Sequence, residues 1–538
     1  MFHKVLIANR GEIAGRVVRS LRRLGIRSVA VYSDADRYTA PVLAADEAVH
    51  IGGNAARGSY LNVDAIVAAC LATGAQAVHP GYGFLSENAA FAERLATHGI
   101  RFIGPRPEHL RGFGLKHTAR ELAQHSGVPL LPGSGLLDDV DGALAEAARI
   151  GYPVMLKSTA GGGGIGMQLC HGADELRARF EAVQRMAGAS FGDARVYLER
   201  YVETARHVEV QIFGDGRGRV VSLGERDCSL QRRNQKVVEE TPAPGLSDAL
   251  RARLHAAARA LGEAVQYESA GTVEFIYDVA RDDFHFLEVN TRLQVEHPVT
   301  ESCYGVDLVE WMIRQAAGEL ALPAQDELRP QGAAIEVRLY AENPQRDFRP
   351  STGLLTEVSF PAGVRVDGWI ATGSEVTPYY DPMLAKLIVH ADTRAAAIAK
   401  LSEALRDTHV HGIETNLDYL RQVVAGEAFT SGAVATRVLR DFVYRPRSIE
   451  VLAPGAQSSL QDHPGRLGYW DVGIPPSGPM DARSFALANR AVGNAPGTAA
   501  LECTMAGPTL RFHGDAVIAL AGAGMPATLD GIAVPYYA

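Results

Sequence analysis

Residues 283–301 read DFHFLEVNTRLQVEHPVTE, an apolar strand interrupted by acids, an amide and an arginine. Alternate side chains of a strand share a face. The spacing predicts that His285, Leu287 and Val289 point one way. Glu288 and Asn290 then point the other way, with Cα atoms roughly 7 Å apart. A surface strand would leave them in water, but the flanking apolar residues argue against free exposure. Burying an unpaired acid is costly. A hard cation shared with nucleotide oxygens would satisfy both groups. Just upstream, GTVEFIY offers Glu274 on a partner strand. Glu274, Glu288 and Asn290 are therefore candidate ligands for Mg²⁺ or Mn²⁺ bound with ATP. The alternation continues through Arg292, Gln294 and Glu296. Arg292 suits a bidentate clamp on a small planar anion, and Glu296 a general base beside it.

A second constraint is KSTAGGGGIGM, Lys157 to Met167. Gly161, Gly163 and Gly166 satisfy G-x-G-x-x-G, but the strand-like GMQLC follows where a dinucleotide fold needs a helix. A P-loop is excluded because no Lys follows the last Gly. The element reads as strand, glycine hairpin, strand. Glycine lets backbone N–H groups approach a ligand closely. With Lys157 at its base, the hairpin suits a lid over a triphosphate, although a bare glycine run is as often a flexible turn.

Three further stretches carry polar residues. IEVRLYAEN places Arg338 inside a strand, where an arginine is usually paired or edge-exposed and only sometimes catalytic. ERDCSLQRRNQKVVEE, 225–240, is either a solvated charged loop or an anion funnel contributing Lys236. LERYVE, 198–203, reads as a polar hinge of the kind that meets an adenine edge.

The 538 residues suffice for several domains, and 47% hydrophobic with 21% charged content is ordinary for a soluble protein. A net charge of −9 favours neither nucleic acid nor a lipid surface. Cys70, Cys170, Cys228, Cys303 and Cys503 form no C-x-x-C pair, so a zinc site or disulfide framework is not expected. Isolated cysteines and the absence of a signal peptide or membrane-length run lead to an expected cytoplasmic location.

Along the chain, KVLIAN, RSVAVYS, AQAVHP and IRFIGP alternate with helices such as 88–98, predicting a doubly wound α/β domain. A helix at 248–265 places Leu250, Leu254, Ala257, Ala258, Leu261 and Val265 on one face. Residues 330–440 read as further α/β structure and 445–452 as a linker. The tail is rich in Gly and Pro, as in strand-and-turn domains.

Taken in order, ANRGEIA, HPGYGFLSEN, GGGGIGM, RDCSLQRRNQK, EETPAP and VNTRLQVEHPVTE resemble biotin carboxylase, an ATP-grasp enzyme, over roughly residues 1–445. The resemblance implies an α/β biotin carboxylase fold. Its parts would be a doubly wound domain at 1–115, an ATP-grasp domain at 116–325 with its lid at about 130–204, and a C-terminal biotin carboxylase domain at 326–445. It also implies roles. Lys116 and Lys157 would hold ATP phosphates, with Gly161, Gly162, Gly163, Gly164, Gly166 and Met167 in the lid. Glu199 and the Val202 backbone would meet adenine, His207 the ribose, and Gln231 and Asn234 the nucleotide side. Glu274, Glu288 and Asn290 would bind the metal. Lys236, Arg292, Gln294 and the Val295 backbone would hold bicarbonate, which Glu296 would deprotonate to form carboxyphosphate. Arg338 would stabilise the enolate-like oxygen of biotin during its carboxylation.

Two departures point to one branch. Asn234 stands where acyl-CoA carboxylases usually have His, and Ile165 where they have Arg. STAGGGGIGM, FGLKHTAR and RRNQKVVEETPAP are instead similar to the urea carboxylase (urea amidolyase) branch. QDHPGRLGYWDVGIPPSGPMDARSFALANRAVGN and ALECTMAGPTLRF resemble the start of a mainly-β carboxyltransferase domain shared with 5-oxoprolinase-type proteins, placed at 446–538. No A-M-K-M-like site occurs, so biotin is expected on a carrier protein or a further segment, alongside the rest of the carboxyltransferase. A homodimer is expected by analogy alone. An acyl-CoA carboxylase subunit is the competing enzyme reading. A non-catalytic ATP-binding module would lack Glu296, Arg292, Arg338 or Lys236, and all four are present.

Overall fold

Short apolar segments of the first hundred residues pair side by side. They are β1 (Lys4–Ile7), β2 (Arg27–Ser33), β3 (Glu47–Gly52), β4 (Ala77–His79) and β5 (Arg101–Phe102), with α1 (Gly11–Arg23) after the first. The pairings are all parallel, in the order β3-β2-β1-β4-β5. Val5 and Ile7 enter one apolar cluster and Leu6 another. The sheet is thus covered on both faces, as a doubly wound fold requires. In α1, Ile13, Ala14, Val17, Val18 and Leu21 are buried at helical spacing. The expected helix near 88–98 is Ala89–Ala96, capped by the Asn88 side chain.

The computed structural model describes residues 1–158, 167–191 and 195–535. The five lid glycines, Gly161 to Gly164 and Gly166, and Ile165 lie outside the described residues. Around them, β6 (Val154–Ser158), β7 (Met167–Cys170) and β8 (Val196–Arg200) form an antiparallel sheet in the order β7-β6-β8. It is backed by α2 (Val140–Ile150) and α3 (Ala173–Phe191). Val154 and Leu156 enter that small core, so Met155 and Lys157 turn to the opposite face.

The main sheet is assembled from β9 (Ala205–Asp215), β10 (Val220–Arg232), β11 (Gln235–Thr241), β12 (Glu268–Asp278), β13 (Asp283–Asn290), β14 (Ala333–Tyr340), β15 (Arg365–Gly368) and β16 (Met383–Ala391). Its order is β13-β12-β9-β10-β11-β14-β16-β15. The boundary expected near 325/326 falls between β13 and β14, yet the β11–β14 pairing carries one sheet across it. α4 (Asp248–Ala264) covers one face with Leu250, Leu254, Ala258 and Leu261 buried, and the Ser247 hydroxyl accepts from the Leu250 N–H at its start. α5 (His297–Tyr304) follows the polar strand β13.

The chain divides into units Met1–Phe442 and Val443–Ala538. In the second, Gln457–Gln461 pairs with Ala500–Thr504, and Asp481 caps the helix Ala482–Ala491. The stretch 445–452, read from sequence as a linker, is partly strand: Ile449–Ala453 pairs with Thr509–Phe512. Its β-branched Ile449 and Val451 favour that conformation. Among the described residues, no helix is long and apolar enough to cross a membrane.

Candidate active site

One face of β12 and β13 opens on a cavity of about 1490 Å³ within the first unit. The faces of β13 do not simply alternate. Glu274 pairs with Glu288 but Phe275 pairs with Phe286, leaving Leu287 as an extra residue in the ladder. Without this bulge, Glu288 and Asn290 would share a face with Phe284 and Phe286, which are buried in the core. With it, Phe286 and Val289 enter the core, while Leu287, Glu288 and Asn290 line the cavity. The sequence expectation put Leu287 with Val289. The structure places Leu287 beside Glu288 because a two-residue period cannot register an inserted residue.

Glu274 and Glu288 therefore face each other on neighbouring strands. Burial, and next the Glu274 charge, push the Glu288 carboxyl up. Two carboxylates opposed in this way, Glu274 buried and Glu288 half-buried, are a fit for a divalent cation, which would remove their repulsion. Asn290 Nδ2 donates to Glu274 Oε1 at 2.7 Å, and its Oδ1 accepts from Arg292 Nη2 at 3.0 Å. His207 Nε2 lies 2.9 Å from Glu274, and Gln231 Nε2 lies 2.8 Å from His207 Nδ1. In this arrangement His207, expected at the ribose, is engaged with Glu274, one of the candidate metal ligands.

Deeper in the sheet lies a chain of alternating charges. Lys236 donates to Glu209 Oε2 at 2.6 Å, Glu274 Oε1 at 3.1 Å and Glu296 Oε1 at 2.6 Å. Arg338 donates to Glu296 Oε2 at 3.0 Å and to Glu239 at 2.6 Å. Behind Glu209, the fully buried Arg226 donates to Glu209, Gln211, Thr272 and Thr300. Burial acts to raise the Glu296 carboxyl, but Lys236, Arg338 and Arg226 outweigh it and hold it well below the ordinary carboxylate range. Glu296 is thus an ionised carboxylate at neutral pH.

Arg292 spans Glu87 at 2.9 Å, Gln294 Oε1 at 2.6 Å and Asn290 Oδ1 at 3.0 Å. The Val295 carbonyl accepts from Lys386 at 2.6 Å. On the far wall, Lys116, Lys157, Met167 and Val202 line the cavity. Lys157 and Arg120 both contact the Glu199 carboxylate. Burial, and next the charges of Lys116 and Arg120, lower the Lys157 ammonium to about 7, with the Glu288 charge acting against them. Lys157 and Glu199, expected at the phosphate and adenine ends of a nucleotide, touch one another.

Arg233 and Asn234 are the two central residues of the hairpin joining β10 to β11, with Arg232 paired to Gln235. Their φ values are +50° and +66°. Asn tolerates that left-handed backbone better than most L-residues, which gives a local reason for Asn234 at the cavity edge.

Sequence reasoning missed Glu209, Glu239 and Lys386, and the buried role of Arg226, which it named only among the charges of 225–240. For Glu209 a signal existed: HVEVQIF alternates His207, Glu209 and Gln211 with apolar residues, as the metal strand does. The other three depend on partners far along the chain.

Sequence profiles of four domain families match the chain. They are the biotin carboxylase N-terminal domain over residues 1–110, the ATP-binding domain of the carbamoyl-phosphate synthase L chain over 116–323, the biotin carboxylase C-terminal domain over 336–441, and the carboxyltransferase domain, subdomain A and B, over 472–538. Urea amidolyase of Saccharomyces cerevisiae is 53% identical over 537 residues, covering 100% of this chain, but the chain spans only 29% of that protein. Biotin carboxylase 2 of Bacillus subtilis is 50% identical over 443 residues, which are 82% of this chain and 99% of the relative. The crystal structure of the biotin carboxylase domain of Hydrogenobacter thermophilus 2-oxoglutarate carboxylase, a dimer with MgADP and bicarbonate, is 43% identical. It superposes with a TM-score of 0.79 over 82% of this chain and 100% of that one. A bacterial biotin carboxylase matched nearly end to end, together with three domain profiles in order along residues 1–441 of this chain, decides the assignment: the chain belongs to the biotin carboxylase family.

Proposed function

We propose that this chain carboxylates carrier-borne biotin with ATP and bicarbonate, as the biotin carboxylase part of a urea carboxylase-like enzyme. The observation that carries the reading is the ionised Glu296, held between Lys236 and Arg338 beside the opposed acids Glu274 and Glu288. Lys116 and Lys157 bind the triphosphate, and Lys157 exchanges Glu199 for it. Glu274, Glu288 and Asn290 hold Mg²⁺, which when bound offsets the phosphate charge. Lys236, Arg292 and Gln294 orient bicarbonate, and Glu296 takes its proton. The bicarbonate oxygen then attacks the γ-phosphorus, releasing ADP and giving carboxyphosphate. Loss of phosphate from that species frees CO₂. Phosphate accepts the N1′ proton of biotin, Arg338 faces the ureido oxygen, and the nitrogen attacks CO₂. The identity to urea amidolyase and the carboxyltransferase match at 472–538 support urea or a related small amide as the final acceptor.

The test is ADP release by the full chain with Mg-ATP and bicarbonate, with and without free biotin. Biotin is expected to raise bicarbonate-dependent turnover; ATP binding without any bicarbonate response would overturn the reading. In the same assay Glu288→Gln is expected to raise the Mg²⁺ concentration needed for half-maximal rate by about tenfold or more. An unchanged requirement would remove Glu288 from the ligand set.

A further inference from the structure

Three successive residues between β13 and α5 are pinned by groups of different origin. The Gln294 carbonyl accepts from His297 Nδ1 at 2.7 Å. The Val295 carbonyl accepts from Lys386 Nζ at 2.6 Å. The Glu296 carboxylate accepts from Lys236 and Arg338. Lys386 and Arg338 stand directly opposite one another on β16 and β14, so two cross-strand cations grip two adjacent residues of one loop. Lys386 is fully buried. Its ammonium lies 3.2 Å from Glu12 at the start of α1, and Glu12 in turn contacts the Tyr82 hydroxyl. One ammonium therefore ties the first domain and the last strands to the loop that carries the base.

The geometry points to Lys386 as a positioning residue for bicarbonate activation: its hydrogen bond to the Val295 carbonyl fixes the peptide plane that joins Val295 to Glu296. That peptide sets the direction from which the Glu296 carboxylate approaches bicarbonate. The inference rests on the catalytic reading above. A buried lysine that merely cemented the domains would affect ATP and bicarbonate alike. A lysine that aims the loop affects bicarbonate selectively, because the nucleotide is held by other strands.

Lys386→Met removes the donor while nearly keeping the volume. It is expected to raise the KM for bicarbonate by about tenfold to a hundredfold, with the KM for ATP within about twofold. Lys386→Arg, which keeps a donor, recovers part of that loss. Hydrogen–deuterium exchange at peptides spanning 292–299 is expected to quicken in Lys386→Met and slow again in Lys386→Arg. If Lys386→Met does not fold, the shorter Lys386→Gln is used with the same expectations. Equal rises in both KM values, or unchanged exchange at 292–299, would overturn the proposal. Exchange needs no turnover. A wild-type chain without any bicarbonate response would sink the catalytic reading, while the exchange data still decide whether Lys386 holds the loop.

Discussion

Glu296→Gln is expected to lower bicarbonate-dependent ATP turnover by about 10²- to 10⁴-fold, the usual contribution of a positioned general base. The substitution keeps shape and removes only the charge and the proton-accepting oxygen. Lys236 retains Glu209 and Glu274, and Arg338 retains Glu239, so neither cation is left without an anion. Nucleotide affinity, measured by calorimetry, is expected to stay within a few-fold of wild type. A variant that turns over at the wild-type rate would exclude Glu296 as the base. The pH dependence follows from the same cations. The folded carboxyl is depressed, so its stabilising contribution is full above the ordinary carboxylate range and is lost as the pH falls through the depressed value. No acid limb due to this group is expected near neutrality. Replacing Arg338 by Met removes one of its cations, and any acid limb due to Glu296 should then move up in pH.

Arg226→Met is expected to cost about 3–5 kcal/mol of stability, the penalty for leaving a buried charge uncompensated. Arg226 is wholly enclosed, and its partners Glu209, Gln211, Thr272 and Thr300 come from three different segments. Glu209 would lose its neighbour at 2.6 Å and keep Lys236 at 2.6 Å, with His207 Nε2 3.8 Å away. Urea unfolding followed by tryptophan fluorescence checks this. The double variant Arg226→Met with Glu209→Gln should recover part of the loss, because the stranded acid is gone. A single variant as stable as wild type would show that Glu209 is already neutral in the fold.

Much of the fold was legible because it is written in local periodicity. The apolar face of α4 and the parallel strands of the first domain needed only neighbours three, four or two residues apart. The order of candidate ligands along 274–296 was legible for the same reason. Three things were not. The bulge at Leu287 adds a residue without changing residue types, so alternation put Leu287 on the wrong face. The sheet that joins β11 to β14 brings together segments almost a hundred residues apart, and no local pattern announces it. The polar interior of β10 looked like a charged loop because its partners Arg206 and Glu209 lie on another strand, β9.

The extra residue in β13 also decides which changes of length the strand tolerates. Removing Leu287 would close the ladder into regular pairing and leave Phe286 and Val289 inward, Glu288 and Asn290 outward. Removing Val289 instead would turn Asn290 inward and empty one position of the proposed metal set. Deleting Leu287 is therefore expected to keep the proposed ligands facing the cavity, whereas deleting Val289 is expected to turn one of them away with every proposed ligand residue still spelled out in the sequence.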